Sequence, residues 1–147
     1  MLDFRIAVRT TVLLVDDDPL QVTTCALTLE MNGFSVVGAT SPYEAISIMK
    51  ENSQRKIDVA ILDYHMPLMN GCILADYLKA RYPELKVVLY SGTLDIREQE
   101  MSSIDLFVPK GDGIAALLAK IAESGPMDVA NPIYFAGENT HCISGVN

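Results

Sequence analysis

With 147 residues, half of them hydrophobic, the chain has the length of one domain and enough apolar material to build a core without a disulfide or a structural metal. Its net charge of −8 and the lack of any Lys/Arg-rich run argue against direct binding to nucleic acid. No apolar stretch approaches the ~20 residues of a membrane-spanning helix, the N-terminus lacks the unbroken apolar core of a signal peptide, and Cys25, Cys72 and Cys142 form no CxxC pair, as expected of thiols in a reducing cytoplasm, with a redox role left open for Cys142 alone.

Residues 1–10 read as an N-terminal extension ahead of an apolar run at Val12–Val15. A run that is uniformly apolar rather than alternating suits a strand buried on both faces. Asp18 followed by Pro19 offers a helix N-cap with proline at the first helical position. Leu20, Thr24, Leu27 and Met31 then share a helical face, and Gly33 stands where a C-capping glycine belongs. Phe34–Val37 predicts the second strand. Ser41-Pro42-Tyr43-Glu44 reads as a capping box, with Ala45, Ile46 and Met49 as the stripe of the second helix. Val59–Leu62 is the third strand, Leu74, Tyr77 and Leu78 mark the third helix, and Pro83 ends it. Val87–Tyr90 is the fourth strand. Asp95–Ser102 has only Ile96 and Met101 as apolar anchors and predicts a marginal fourth helix. After a fifth strand at Leu106–Val108, Ile114, Leu117, Leu118 and Ile121 repeat at i, i+3, i+4, i+7 on the fifth helix. Residues 124–147 carry Pro126, Pro132, Gly137 and Gly145 without periodicity. They predict a flexible C-terminal tail rather than an output domain, with Ile133, Tyr134 and Phe135 as its anchor if it docks.

Strand and helix thus alternate five times, which predicts an α/β fold over residues 11–123: a doubly wound five-stranded parallel sheet of order 2-1-3-4-5. In such a sheet ligands collect at the carboxyl ends of the strands. Here those ends carry Asp16-Asp17-Asp18, Asp63, Ser91-Gly92 and Pro109-Lys110. Strands one and three are neighbours in this order, so Asp16, Asp17 and Asp63 converge. Carboxylates so close repel one another unless a cation neutralises them, and a hard divalent ion such as Mg²⁺ uses one or two carboxylates and keeps open positions. Lys110 adds a compact positive charge, Ser91 a hydroxyl donor, and Gly92 an open approach. This set suits transfer of a phosphoryl group to a carboxylate, with Asp63 as nucleophile and the adjacent Asp16 and Asp17 as metal holders. Each residue alone has a plainer explanation, as a helix cap, a turn or an exposed lysine. Four strand ends in the required order do not share one.

Together Leu13-Leu14-Val15-Asp16-Asp17-Asp18-Pro19, Ile61-Leu62-Asp63-Tyr64-His65-Met66-Pro67, Met69-Asn70-Gly71, Leu89-Tyr90-Ser91-Gly92 and Phe107-Val108-Pro109-Lys110 resemble the receiver domain of two-component response regulators, the CheY-like, flavodoxin-like (βα)5 superfamily. The resemblance implies that Asp63 is the phosphoacceptor in a stand-alone signalling switch. It implies direct ligation of Mg²⁺ (or Mn²⁺) by Asp17, a mainly water-mediated role for Asp16, and a further ligand in the backbone carbonyl of His65. Ser91 would bond the phosphoryl group and draw its loop inward, and Phe107 would turn inward as the aromatic switch. Implied partners are a histidine kinase or histidine phosphotransfer protein, a downstream protein, and a second copy meeting the face of the fourth helix, fifth strand and fifth helix. The chain departs from the pattern in having Gly111 rather than proline after Lys110, and Phe107 where tyrosine is commoner. His65 is also expected to modulate attacking water. A phosphorelay intermediate, or a fragment of a longer regulator, fits the same residues. A Mg²⁺-dependent phosphohydrolase using Asp16-x-Asp18 is the remote alternative, since Pro19 follows directly and a later acidic pair is missing.

Overall fold

The strands β1 (Thr11–Val15) and β3 (Val59–Leu62) are buried at every residue, as their unbroken apolar sequences require. They lie at the centre of a five-stranded, wholly parallel sheet with β2 (Ser35–Ala39), β4 (Lys86–Ser91) and β5 (Leu106–Pro109), in the order β2-β1-β3-β4-β5. The computed structural model describes residues 9–51 and 56–123. Most of the expected N-terminal extension, the whole 124–147 tail with Ile133, Tyr134 and Phe135, and Cys142 lie outside them.

Alternate strand residues feed two separate cores. Leu13, Val15, Ala60, Leu62, Val87 and Leu89 pack against α2 (Pro42–Glu51) and α3 (Gly71–Arg81). Val12, Leu14, Val59, Ile61, Val88 and Val108 face α1 (Pro19–Met31) and α4 (Gly113–Glu123). The stripe expected on the last helix is the one observed, with Leu117, Leu118 and Ile121 buried.

Three expectations need correction. On α1 the stripe Leu20, Leu27 and Met31 faces out, at 67%, 59% and 70% exposure, while Cys25 and Leu29 are buried. The cause lies on β2: a Cβ at Gly38 would come within 2.7 Å of Val22 Cγ1, so the glycine lets the Val22 side of the helix settle onto the sheet. Phe34 belongs to the end of α1 rather than to β2. Its N–H donates to the Leu29 carbonyl at 3.2 Å and that of Gly33 to Glu30 at 3.0 Å, a Schellman turn with Gly33 at φ 92°. The expected fourth helix is a 3-10 segment, Glu98–Ser103, preceded by irregular chain from Gly92 to Arg97. With only Ile96, Met101 and Ile104 packed on the core, it has no stripe to sustain α-helical turns.

Candidate functional site

Side chains that follow the carboxyl ends of β1, β3 and β5 come together along one rim of the sheet. The Asp63 N–H donates to the Val15 carbonyl at 2.9 Å, extending the β1–β3 ladder by one residue and setting Asp63 beside the end of β1. The Asp16 N–H likewise reaches the Ala39 carbonyl at 3.2 Å, which holds it from the β2 side. The three adjacent aspartates then divide the work. Asp18 turns away and caps α1, its Oδ1 accepting the Leu20 N–H at 3.0 Å. Asp16 Oδ1 accepts the Asp18 N–H at 3.0 Å, which orients its carboxylate. Asp16, Asp17 and Asp63 each bring an oxygen within 4.8 Å of the others, with Asp16 and Asp63 buried and Asp17 exposed. The pair Asp16-x-Asp18 of the phosphohydrolase alternative is therefore split between this cluster and a helix cap.

Lys110 completes the cluster. Its Nζ lies 2.7 Å from Asp16 Oδ2 and 3.4 Å from Asp63 Oδ1. Burial alone would lower its pKa, but the Asp16 hydrogen bond and the Asp63 and Asp16 charges outweigh burial and hold it above the ordinary lysine value. Asp63 is raised above the usual carboxylate range, first by burial, with the neighbouring Asp16 charge adding to it and Lys110 opposing it. Three carboxylates with one ammonium leave the site short of positive charge. An oxygen-only donor set with one open, exposed member fits a hard divalent cation.

Ser91 ends β4, fully buried and paired with Pro109, and its Oγ accepts the Thr93 N–H at 3.2 Å. Phe107 is half-buried and packs on the core under α2 and α3, the core that Ile96, Met101 and Ile104 also cover. A Cβ at Gly92 would meet nothing within 4 Å, so the approach there is open. His65 is exposed, its ring edge-on to Tyr64 with centroids 4.9 Å apart. The peptide after Lys110 is trans, and Lys110 opens a short 3-10 turn, Lys110–Asp112.

Two features of the site were not foreseen. Gly71 packs directly beneath Asp63, where a Cβ would collide with the Asp63 carbonyl oxygen. The motif Met69-Asn70-Gly71 was visible, but the close approach that demands its glycine is a tertiary fact. The second is Tyr64, whose hydroxyl donates to Glu100 Oε1 at 2.8 Å across 36 residues of sequence. Nothing local signals that pairing. Nearby, Leu68 adopts φ 73° while almost fully exposed, a backbone state more usual for glycine or asparagine.

Residues 12–122 match the model of the response regulator receiver domain. The chain is 31% identical over 91 residues to the autoinducer 1 sensor kinase/phosphatase LuxN of Vibrio campbellii, covering 62% of this chain and 10% of that protein. It is 31% identical over 88 residues to a two-component response regulator of Oryza sativa, covering 60% and 14%. It thus spans less than a fifth of the length of these curated relatives. A receiver domain protein from Clostridium thermocellum superposes with a TM-score of 0.71 at 26% identity, over 78% of this chain and 93% of that one. The response regulator TrrA of Thermotoga maritima, solved in complex with Mg²⁺-BeF, shares the fold with a TM-score of 0.72 at 22% identity, over 79% and 99%.

Proposed function

The chain belongs to the response regulator receiver domain family, and from that premise we propose that Asp63 is its phosphoacceptor, with Asp16 and Asp17 as holders of a divalent cation and Lys110 as the fixed positive charge. The observation that carries this assignment is the position of Lys110, bridging Asp16 and Asp63 at 2.7 and 3.4 Å. A lysine so placed keeps two buried carboxylates together before transfer and remains to bind phosphoryl oxygens after it.

In the step itself an Asp63 oxygen forms the bond to phosphorus as the P–N bond of a phosphohistidine breaks, and the electron pair leaves with the imidazole. Asp63 is poised for this by burial, which strips its carboxylate of water. Mg²⁺ or Mn²⁺, held by Asp16, Asp17, Asp63 and the His65 backbone carbonyl, would neutralise charge on the equatorial oxygens. The Ser91 hydroxyl oxygen accepts the Thr93 N–H, which leaves its O–H free to donate to a phosphoryl oxygen. Its loop moves with it, and Phe107 turns inward as the aromatic switch.

On this account residues 11–123 form the receiver and the flanking residues serve its context. The phosphodonor is a histidine kinase or phosphotransfer protein in the cytoplasm. The output is a protein contact, a second copy included, on the face of the 3-10 segment, β5 and α4. No helix among the described residues is long and apolar enough to cross a membrane.

Intact-mass spectrometry after incubation with acetyl phosphate and Mg²⁺ tests the assignment. One added phosphoryl group is expected, absent from Asp63→Asn and from a chelator-treated sample. An adduct that persists in Asp63→Asn would remove Asp63 from its role. Neither adduct nor phosphate release in the parent protein would remove the phosphoacceptor function altogether.

A further inference from the structure

Tyr64 follows the phosphoacceptor directly in sequence, and its carbonyl accepts the Gly71 N–H at 2.9 Å. Its main chain is therefore part of the acceptor loop. The side chain leaves that loop, and its hydroxyl donates to Glu100 Oε1 at 2.8 Å on the 3-10 segment. The other Glu100 oxygen accepts from the Arg97 N–H and Nε, each at 3.3 Å. One carboxylate, its side chain only 21% exposed, thus gathers the first turn of the segment onto the residue that follows Asp63.

Besides this tie the segment rests against α3. None of its residues is buried, and its apolar contacts are limited to the partly covered Met101 with Ile96 and Ile104 at its flanks. It is joined to Ser91 by irregular chain from Gly92 to Arg97. Weak packing with one well-made polar tie is the composition of an element that can take two positions.

We propose that the Tyr64–Glu100 hydrogen bond is a latch that holds the 3-10 segment in its unphosphorylated position and opens when Asp63 carries a phosphoryl group. The proposal rests on the phosphoacceptor function above and adds a residue pair to its regulation. Linkage makes it quantitative. A contact made in only one of two states biases the equilibrium by its own free energy, so where the latched state predominates, removing it tightens any ligand that prefers the other state by the same factor.

The test compares the full chain with Tyr64→Phe, which keeps the ring and deletes the hydroxyl, and Glu100→Gln, which keeps an acceptor and deletes the charge. Amide exchange of residues 98–104 is measured without metal. Binding of beryllofluoride, which mimics an aspartyl phosphoryl group, is measured by calorimetry with Mg²⁺. In Tyr64→Phe the exchange should quicken about threefold and beryllofluoride should bind about threefold tighter, with Glu100→Gln between it and the parent. Unchanged exchange in Tyr64→Phe overturns the latch. Faster exchange with unchanged or weaker beryllofluoride binding overturns its coupling to Asp63. Failure of the parent protein to bind beryllofluoride would instead overturn the phosphoacceptor assignment, and the exchange comparison would still decide whether the pair holds the segment.

Discussion

Gly71→Ala adds one methyl group at the point where α3 begins beneath the acceptor. A Cβ there collides with the Asp63 carbonyl oxygen and lies 3.0 Å from both the Asp63 carbonyl carbon and Leu89 Cδ1. Leu89 is fully buried, so it has no room to yield. The helix cannot simply retreat, because the Gly71 N–H is bonded to the Tyr64 carbonyl at 2.9 Å and Asn70 caps the helix through the Ile73 N–H at 3.0 Å. Overpacking of this kind costs about 1–3 kcal/mol, and the strained Gly71–Tyr64 bond adds about 1 kcal/mol. The expected loss is about 2–4 kcal/mol, roughly a 10 °C fall in Tm for a chain of this size. Urea unfolding followed by far-UV circular dichroism measures it, with Gly92→Ala alongside, since a Cβ at Gly92 meets nothing within 4 Å. That control should stay within about 0.5 kcal/mol of the parent. Because the collision is with the acceptor's own peptide, the rate of acetyl phosphate labelling should also fall, on the order of tenfold to a hundredfold. A Gly71→Ala protein as stable as Gly92→Ala would refute the close approach.

Three further outcomes are expected. Asp63 has its pKa raised from 3.8 on folding, mainly by burial, so the folded state binds its proton more tightly and ionisation costs stability as the pH rises above 3.8. Asp63→Asn should therefore be more stable than the parent at pH 7 in chelator, and the advantage should vanish on acidification below about 3.8, where both states are protonated; superimposable stability–pH curves would contradict this. In Lys110→Ala the ammonium no longer competes for the Asp16 and Asp63 oxygens, and calorimetry should show Mg²⁺ bound about tenfold tighter; weaker binding would show that Lys110 builds the metal site rather than opposing it. On α1, Leu29→Ala should cost about 2–5 kcal/mol, whereas Leu27→Ala should stay within about 0.5 kcal/mol; equal losses in urea unfolding would mean that the helix is rotated from the orientation described.

That last comparison bears on what could be read from the chain alone. The strand order and the meeting of Asp16, Asp17, Asp63 and Lys110 were legible because unbroken apolar runs mark buried parallel strands, and each run ends in a polar residue. The phase of α1 was not. Leu20, Thr24, Leu27 and Met31 form one periodic row, but Val22, Cys25, Ala26 and Leu29 form another, and hydrophobicity does not choose between them. The choice is made across the sheet, where Gly38 leaves room for Val22. The third aspartate was ambiguous between site and cap until its bond to the Leu20 N–H separated it from its neighbours. Glu100 carries no local sign of its role, because its partner is distant in sequence and close only after folding.

The sheet also works as a partition. Odd and even residues of each central strand report to different rooms, and the 3-10 segment with Phe107 belongs wholly to the room shared with α2 and α3. The wall itself, with the clustered aspartates at its rim, is braced from the other side by α1 and α4. One room can be refurnished, by a signal within the lifetime of a phosphoryl group or by mutation over evolutionary time, while the rim keeps its shape. Substitutions that retune the response should therefore gather on one side of β3, and those that abolish the chemistry should gather along its end.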